Sequence, residues 1–137
     1  MIRRGRLSDI AGIIELLRRH HVEKQFDFKF NPVLLSSTVT HAMTARDWLC
    51  LVGERSVLIA SYFDSPFGAG RLAMEHIVRA ETPGLFAGLI KEYEQWAVAN
   101  GCVKASLSCT DRFSAFTRLY SRHGYRPSEM QMVKHLT

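Results

Sequence analysis

Two side chains of this 137-residue sequence are suited to moving protons, Glu75 and Tyr120. Glu75 lies in residues 71–78, whose alternation predicts a β-strand with Ala73, Glu75 and Ile77 on one face. A carboxylate among apolar neighbours can act as a general base. Tyr120 lies in a predicted helix, and a phenol, with a reference pKa of about 10, is protonated at neutral pH. The two residues are therefore a candidate base and a candidate acid.

Each candidate also has a purely structural interpretation. Glu75 could be a strand carboxylate paired with Arg71 or Arg79. Tyr120 could be a core aromatic residue whose hydroxyl is hydrogen-bonded. His76, which the alternation places on the opposite strand face, is expected to be structural.

The predicted strand that carries Glu75 leads through a turn into a helix. The turn contains Glu81, Thr82, Pro83 and Gly84. Beyond it, apolar residues recur at helical spacing: Phe86, Leu89, Ile90, Tyr93 and Trp96. A helix that begins where a strand ends presents unpaired N–H groups and a partial positive charge, which favours a phosphate group. Gly84 by itself is a weak signal, because a single glycine can simply close a turn.

The remaining elements define an α/β chain. Strands are predicted at residues 1–4, 48–52, 57–63, 103–108 and 130–136, and helices at residues 8–21, 31–45 and 111–123. A strand, a helix and a strand in succession imply a right-handed crossover, so the strands at 71–78 and 103–108 are expected to be parallel neighbours. The hairpin at 48–63 is antiparallel, so the sheet is predicted to be mixed. Phe26, Phe28 and Phe30 either line a site or anchor a loop to the core.

Composition limits the class of protein. A chain of 137 residues with 47% hydrophobic and 23% charged residues predicts one globular domain, residues 1–137. No apolar run approaches the roughly 20 residues that cross a bilayer. Acidic residues interrupt the N-terminal apolar stretch, so we interpret it as folded rather than as a signal peptide.

Three cysteines and six histidines give no close metal-binding pair, so no metal is expected and a reducing, cytoplasmic location is favoured. A net charge of +5 favours an anionic partner, which could be nucleic acid, a phosphorylated cofactor or an acidic protein face.

Two segments resemble a known family. Residues 119–127, LYSRHGYRP, are similar to the "LY-basic-x-GF-x-P" ending common in the GNAT superfamily of acyl-CoA-dependent N-acyltransferases. Residues 94–102, from Glu94-Gln95-Trp96-Ala97 to Asn100-Gly101-Cys102, resemble the end of the family's central helix and its entry into the fifth strand. The order of elements also resembles the family over nearly the whole chain.

The resemblance implies a mixed, mostly antiparallel sheet with helices on both faces, in which the fourth and fifth strands separate around the pantetheine arm of acetyl-CoA. It implies that Glu75 is the base and that Tyr120 protonates the departing thiolate. The turn and first helical residues differ from the family's usual glycine-rich loop, so the phosphate loop is degenerate. The cofactor-binding residues that it implies are Ile77, Val78, Arg79, Gly84, Leu85, Phe86, Ala87, Gly88, Leu89 and Ser114.

The implied reaction is direct attack by a primary amine on acetyl-CoA in a ternary complex, the amine belonging to a small molecule or a protein. The degenerate loop leaves open a noncatalytic ligand-sensing or protein-binding module of the same fold. A small nucleic-acid-binding protein is less favoured, because the basic residues are spread rather than striped. No membrane partner is expected, a homodimer is left open, and the acceptor amine is not specified.

Overall fold

The computed structural model describes residues 1–109 and 113–136, and gives the side chains of residues 117–136 within the second range. The described chain forms one mixed sheet whose strands follow the sequence order, β1 to β5. The strands are β1 (Arg3–Arg4), β2 (Trp48–Gly53), β3 (Ser56–Asp64), β4 (Arg71–Ala80) and β5 (Cys102–Ser106). The helices are α1 (Ile10–Lys24), α2 (Pro32–Thr44), α3 (Leu85–Ala99) and α4 (Phe113–Ser121), with a 3₁₀ turn at Leu7–Asp9.

The first four strands pair antiparallel and the last pair, β4 with β5, is parallel. This confirms the predicted mixed sheet and its parallel pair. The pairing of β4 with β5 reaches only as far as Met74 and Ser106, whereas the pairing of β4 with β3 continues to Ala80. From Glu75 onward, β4 therefore pairs with a strand on one side only among the described residues, and its backbone pairing with β5 has ended.

The helices cover both faces of the sheet. One face packs against α1 and α2, and the other packs against α3. Burying each large aliphatic side chain in such a cluster stabilises the fold by about 1.5–3 kcal/mol. The first cluster contains Ile13, Leu17, Val39, Val57 and Ile59, and the second contains Leu49, Leu58, Leu89, Ile90 and Tyr93.

A β-bulge in β4 changes the predicted alternation. Ile59 of β3 pairs with Ile77, but the next residue, Ala60, pairs with Glu75, so His76 is an extra residue. In consequence Ile77 packs with the α1 and α2 cluster, whereas Ala73 packs with the α3 cluster. The prediction that Ala73, Glu75 and Ile77 share one face is therefore wrong, because simple alternation contains no signal for an inserted residue.

The predicted last strand, residues 130–136, is not formed. Within the described residues, 125–136 carry no regular secondary structure, and Met130, Met132 and Leu136 are exposed. His135 Nε2 lies 2.7 Å from Asp27 Oδ2, which brings this segment to the loop between α1 and α2. The alternation that predicted a strand is present in the sequence, but a strand also requires a partner edge, and the described residues of this segment do not pair with β5.

Among the described residues, no helix has the length and apolar character needed to cross a membrane.

Candidate active site

Glu75 lies at the point where β4 and β5 separate. Its side chain is buried, since the residue is only 4% exposed. The backbone N–H of Ser108, two residues beyond the end of β5, donates to Glu75 Oε1 at 3.1 Å. The Ser108 hydroxyl lies 3.4 Å from both carboxylate oxygens. Because β5 no longer pairs with β4 at this position, the Ser108 N–H is available to the carboxylate instead.

The environment of Glu75 changes its acidity. Burial raises the pKa of Glu75 to about 7, while the hydrogen bonds from Ser108 oppose the rise. Such a carboxyl group exchanges a proton readily near neutral pH, as a general base must. The proposed structural pairing with Arg71 or Arg79 is wrong, because Arg71 binds Asp64 at 3.1 Å and Arg79 binds Glu23 at 2.7 Å.

Tyr120 reaches the same serine from α4. Its hydroxyl donates to the carbonyl oxygen of Ser108 at 2.8 Å, and its ring stacks on Phe86 with a centroid distance of 6.1 Å. Burial, with the charge of Glu75 as a smaller cause, raises the pKa of Tyr120. The phenol is therefore protonated at neutral pH, and one residue, Ser108, connects the candidate base with the candidate acid.

These side chains line one cavity of about 950 Å³. Its wall includes Glu75, Ser108 and Tyr120, together with Phe86 from the first turn of α3. The opposite wall comes from the end of α1, the loop before α2, and α2 itself. A cavity of this size suits a small-molecule site.

The residues implied to bind a cofactor are placed in two groups. Those that line the cavity are Ile77, Val78, Arg79 and Phe86. Gly84, at φ 85°, precedes the first helical residue, Leu85, so Phe86 and Ala87 lie in the first turn of α3, where N–H groups have no partner within the helix.

Gly88 and Leu89 lie beyond that first turn, outside the cavity wall. A Cβ atom on Gly88 would lie 2.6 Å from Ile2 Cδ1, so this glycine allows close packing against the N-terminal segment. The side chain of Leu89 is fully buried in the α3 cluster. The side chain of Ser114 lies outside the described residues.

Sequence reasoning missed Ser108. It is the last residue of the strand predicted at 103–108, and the end of strand pairing two residues earlier has no sequence signature. His76, expected to be structural, stacks on Trp48 at 4.8 Å and accepts or donates a hydrogen bond with Ser61 at 2.7 Å. Within residues 1–109 and 113–136, no group of three or more His, Cys, Asp or Glu side chains could hold a metal ion.

No protein-family model and no curated protein matches this sequence. Solved structures do match it over almost their whole length. A transcriptional regulator from Bacillus halodurans C-125 has a TM-score of 0.82 at 15% identity, covering 99% of both chains. A predicted acetyltransferase from Clostridium acetobutylicum, solved with acetyl-CoA, has a TM-score of 0.79 at 12% identity, covering 99% of this chain and 96% of the other.

An aminoglycoside acetyltransferase from an uncultured soil metagenomic sample, in complex with sisomicin, has a TM-score of 0.68 at 16% identity. It covers 100% of this chain and 94% of the other. Identities this low show the fold and not the activity. The mixed sheet, its parallel pair β4 and β5, and these similarities together show that the chain has a GNAT-like α/β fold.

Proposed function

We propose that this protein is a single-domain N-acetyltransferase that moves the acetyl group of acetyl-CoA to a primary amine. The observation that carries the proposal is the placement of Glu75 and Tyr120 on either side of Ser108, in one cavity, where β4 and β5 separate. The fold supports the general class, and a structure of the same fold was solved with acetyl-CoA. We place the reaction in the cytoplasm, in keeping with the three free cysteines.

The proposed reaction begins with the amine. A primary amine with a pKa of about 10.4 must lose a proton to attack, which costs roughly 4 kcal/mol near pH 7.5. Glu75 takes this proton, directly or through a water molecule. The amine nitrogen then forms a bond to the thioester carbonyl carbon, and the bond from that carbon to sulfur breaks. The thiolate that leaves takes the proton of the Tyr120 hydroxyl, giving free CoA thiol. The Tyr120 phenolate then takes the second proton that the attacking nitrogen loses as the amide forms, and Glu75 returns its proton to solvent.

The acyl donor would lie along the unpaired part of β4. From Glu75 to Ala80 the strand has backbone groups that no longer pair with β5, and these can bond to the amides of a pantetheine arm. The pyrophosphate would lie at the first turn of α3, beside Gly84 and Phe86. Glu81 precedes this turn, but Arg19 at 3.1 Å and Arg79 at 2.9 Å neutralise its charge, so it does not repel an anion strongly.

Two measurements test this proposal. Millimolar acetyl-CoA is expected to raise the melting temperature, because a ligand that binds only the folded state stabilises it. Free thiol is expected to be released from acetyl-CoA when an amine acceptor is added, and not without one. Absence of both effects would overturn the proposal. Adenosine serves as the control ligand, since it lacks the pantetheine arm and the pyrophosphate.

A noncatalytic acetyl-CoA-binding module remains the second candidate, because one structure of the same fold is described as a transcriptional regulator. It predicts the thermal shift without release of thiol for any amine.

A further inference from the structure

The cavity wall formed by the loop between α1 and α2 is aromatic. Phe26 and Phe28 stack with a centroid distance of 5.1 Å, and His21 contacts Phe28 at 5.1 Å and Phe30 at 5.5 Å. His21 Nε2 also lies 2.6 Å from the carbonyl oxygen of Phe28, in a hydrogen bond that holds the loop against the last turn of α1. The three phenylalanines line the same cavity as Glu75. We call residues 26, 28 and 30 the phenylalanine wall.

Leu34 and Leu35 of α2 and Ile77 of β4 extend this apolar surface within the cavity. The face of Phe30 is already occupied, since the guanidinium carbon of Arg18 lies 4.8 Å above its ring centre. A cationic group of a ligand therefore cannot take that face without displacing Arg18.

Among the residues that the structure describes, three carboxylates line the cavity, those of Glu23, Glu75 and Glu81. Two arginines balance two of them: Arg79 contacts Glu23 at 2.7 Å and Glu81 at 2.9 Å, and Arg19 contacts Glu81 at 3.1 Å. Glu75 has its described contacts with Ser108 instead. Of these three carboxylates, Glu75 is the one without a described arginine partner. It is also the residue proposed to take the proton of the amine.

From these contacts we infer the class of acceptor: a monoamine whose single amino group is attached to an aromatic or apolar body. This inference rests on the proposed function. The amino group meets Glu75, and the body packs on the phenylalanine wall. A polyamine or an aminoglycoside would bring further ammonium groups near Arg79 and Lys29, where the other described carboxylates of the cavity, Glu23 and Glu81, are already paired with arginines.

A matched pair of variants isolates the phenylalanine wall. Phe28 is 58% exposed, so Phe28→Ala removes part of the wall with little loss of core packing. Phe67, 92% exposed in the connection between β3 and β4, does not line the cavity, so Phe67→Ala is the control. Neither residue belongs to the acetyl-CoA site or to the proton-transfer pair.

The test compares 2-phenylethylamine with spermidine and an aminoglycoside in the thiol-release assay. We expect kcat/KM to be about tenfold or more higher for 2-phenylethylamine. Phe28→Ala should lower that value about tenfold, mainly by raising KM, and should leave the thermal shift with acetyl-CoA unchanged. Phe67→Ala should change neither quantity.

The other possible results of the assay distinguish failure of this inference from failure of the proposed function. Spermidine or the aminoglycoside reacting as efficiently as 2-phenylethylamine, or no effect of Phe28→Ala, would overturn the inference while the proposed function stands. If acetyl-CoA binds but no amine reacts, calorimetry with 2-phenylethylamine and the unreactive analogue desulfo-CoA decides, and absence of binding overturns the inference. If acetyl-CoA neither binds nor releases thiol, the proposed function fails first.

Discussion

Two tyrosines make the same kind of hydrogen bond, one to β5 and the other to the residues that follow it, but they differ in how far they are buried. The hydroxyl of Tyr93 donates to the carbonyl of Ser106 at 2.8 Å, and the hydroxyl of Tyr120 donates to the carbonyl of Ser108 at 2.8 Å. Tyr93, on the buried face of α3, is 0% exposed, whereas Tyr120 is 8% exposed and lines the cavity. The same hydrogen bond therefore lies inside the core in one region and at the wall of a cavity in the other.

The two serines differ correspondingly. The Ser106 hydroxyl donates to the backbone carbonyl of Ala73 at 3.3 Å, where β4 and β5 are still paired. The Ser108 hydroxyl reaches Glu75, one step past the last pair. Where β4 and β5 pair, the backbone N–H and carbonyl groups of the two strands bond to each other. Where the pairing has ended, the Glu75 carboxylate accepts the hydrogen bonds instead of a backbone carbonyl. The site is thus a local interruption of an otherwise regular sheet.

Glu75→Gln should have the largest effect on turnover. Without the base, the rate of acetyl transfer is expected to fall about 10²- to 10⁴-fold. Glu92→Gln, on the exposed face of α3, is the control and should retain full turnover. The measurement is thiol release at saturating acetyl-CoA. A Glu75→Gln variant with wild-type turnover would show that Glu75 is not the base, although it lies where the pairing of β4 with β5 ends.

The same substitution should change how stability depends on pH. The pKa of Glu75 is about 7 in the folded chain, above its ordinary value of 4.5. The unfolded chain therefore loses this proton first as the pH rises, and the free energy of unfolding falls between about pH 4.5 and 7, by up to about 3 kcal/mol. Glu75→Gln should remove this fall in denaturant unfolding at pH 5 and pH 8. An unchanged pH dependence would contradict the burial of an ionisable group there.

The fold was largely predictable because periodicity reports which face of an element is buried. The apolar spacing from Phe86 to Trp96 predicted α3, and the helix predicted at residues 31–45 is α2, where the Asn31 side chain accepts from the Leu34 N–H at 3.1 Å. Local spacing does not report pairing partners. The bulge at His76 and the strand predicted at 130–136 were therefore misjudged, since both depend on a neighbouring strand.

The site was predictable in its residue types but not in its connections. Glu75 and Tyr120 were identified from their chemistry and from a family resemblance, and their roles in catalysis stay predictions. The connecting residue, Ser108, holds Glu75 and Tyr120 mainly through its main-chain N–H and carbonyl, which any residue other than proline could supply, and its hydroxyl adds a longer contact of 3.4 Å. Residue identity therefore carries little information about it.

The comparison of Tyr120→Phe with Tyr93→Phe should show an effect on turnover smaller than that of Glu75→Gln. It distinguishes a loss of turnover from a loss of stability. Tyr120→Phe is expected to lower turnover about 10²-fold, because no phenol protonates the thiolate, while the thermal shift with acetyl-CoA is kept. Tyr93→Phe leaves the Ser106 carbonyl without this donor and should lower the free energy of unfolding by about 1–3 kcal/mol, with turnover nearly unchanged. Equal losses of turnover in the two variants would mean that both tyrosines are structural.

The comparison of Ser108→Ala with Ser106→Ala should show the smallest change in activity. It removes the same hydroxyl group on either side of the point where strand pairing ends. The Ser108 hydroxyl helps to lower the pKa of Glu75, so its removal should raise that pKa above about 7, while the Ser108 N–H still binds the carboxylate. Because turnover requires ionised Glu75, the rising limb of the pH profile of kcat/KM should move to higher pH, by less than about one unit. Ser106→Ala removes a hydroxyl that bonds only the Ala73 carbonyl among its described contacts, so its pH profile should match that of the wild type. A shift in both variants would place the cause in general loosening of β5, and a shift in neither would show that the carboxylate is held by the backbone N–H alone.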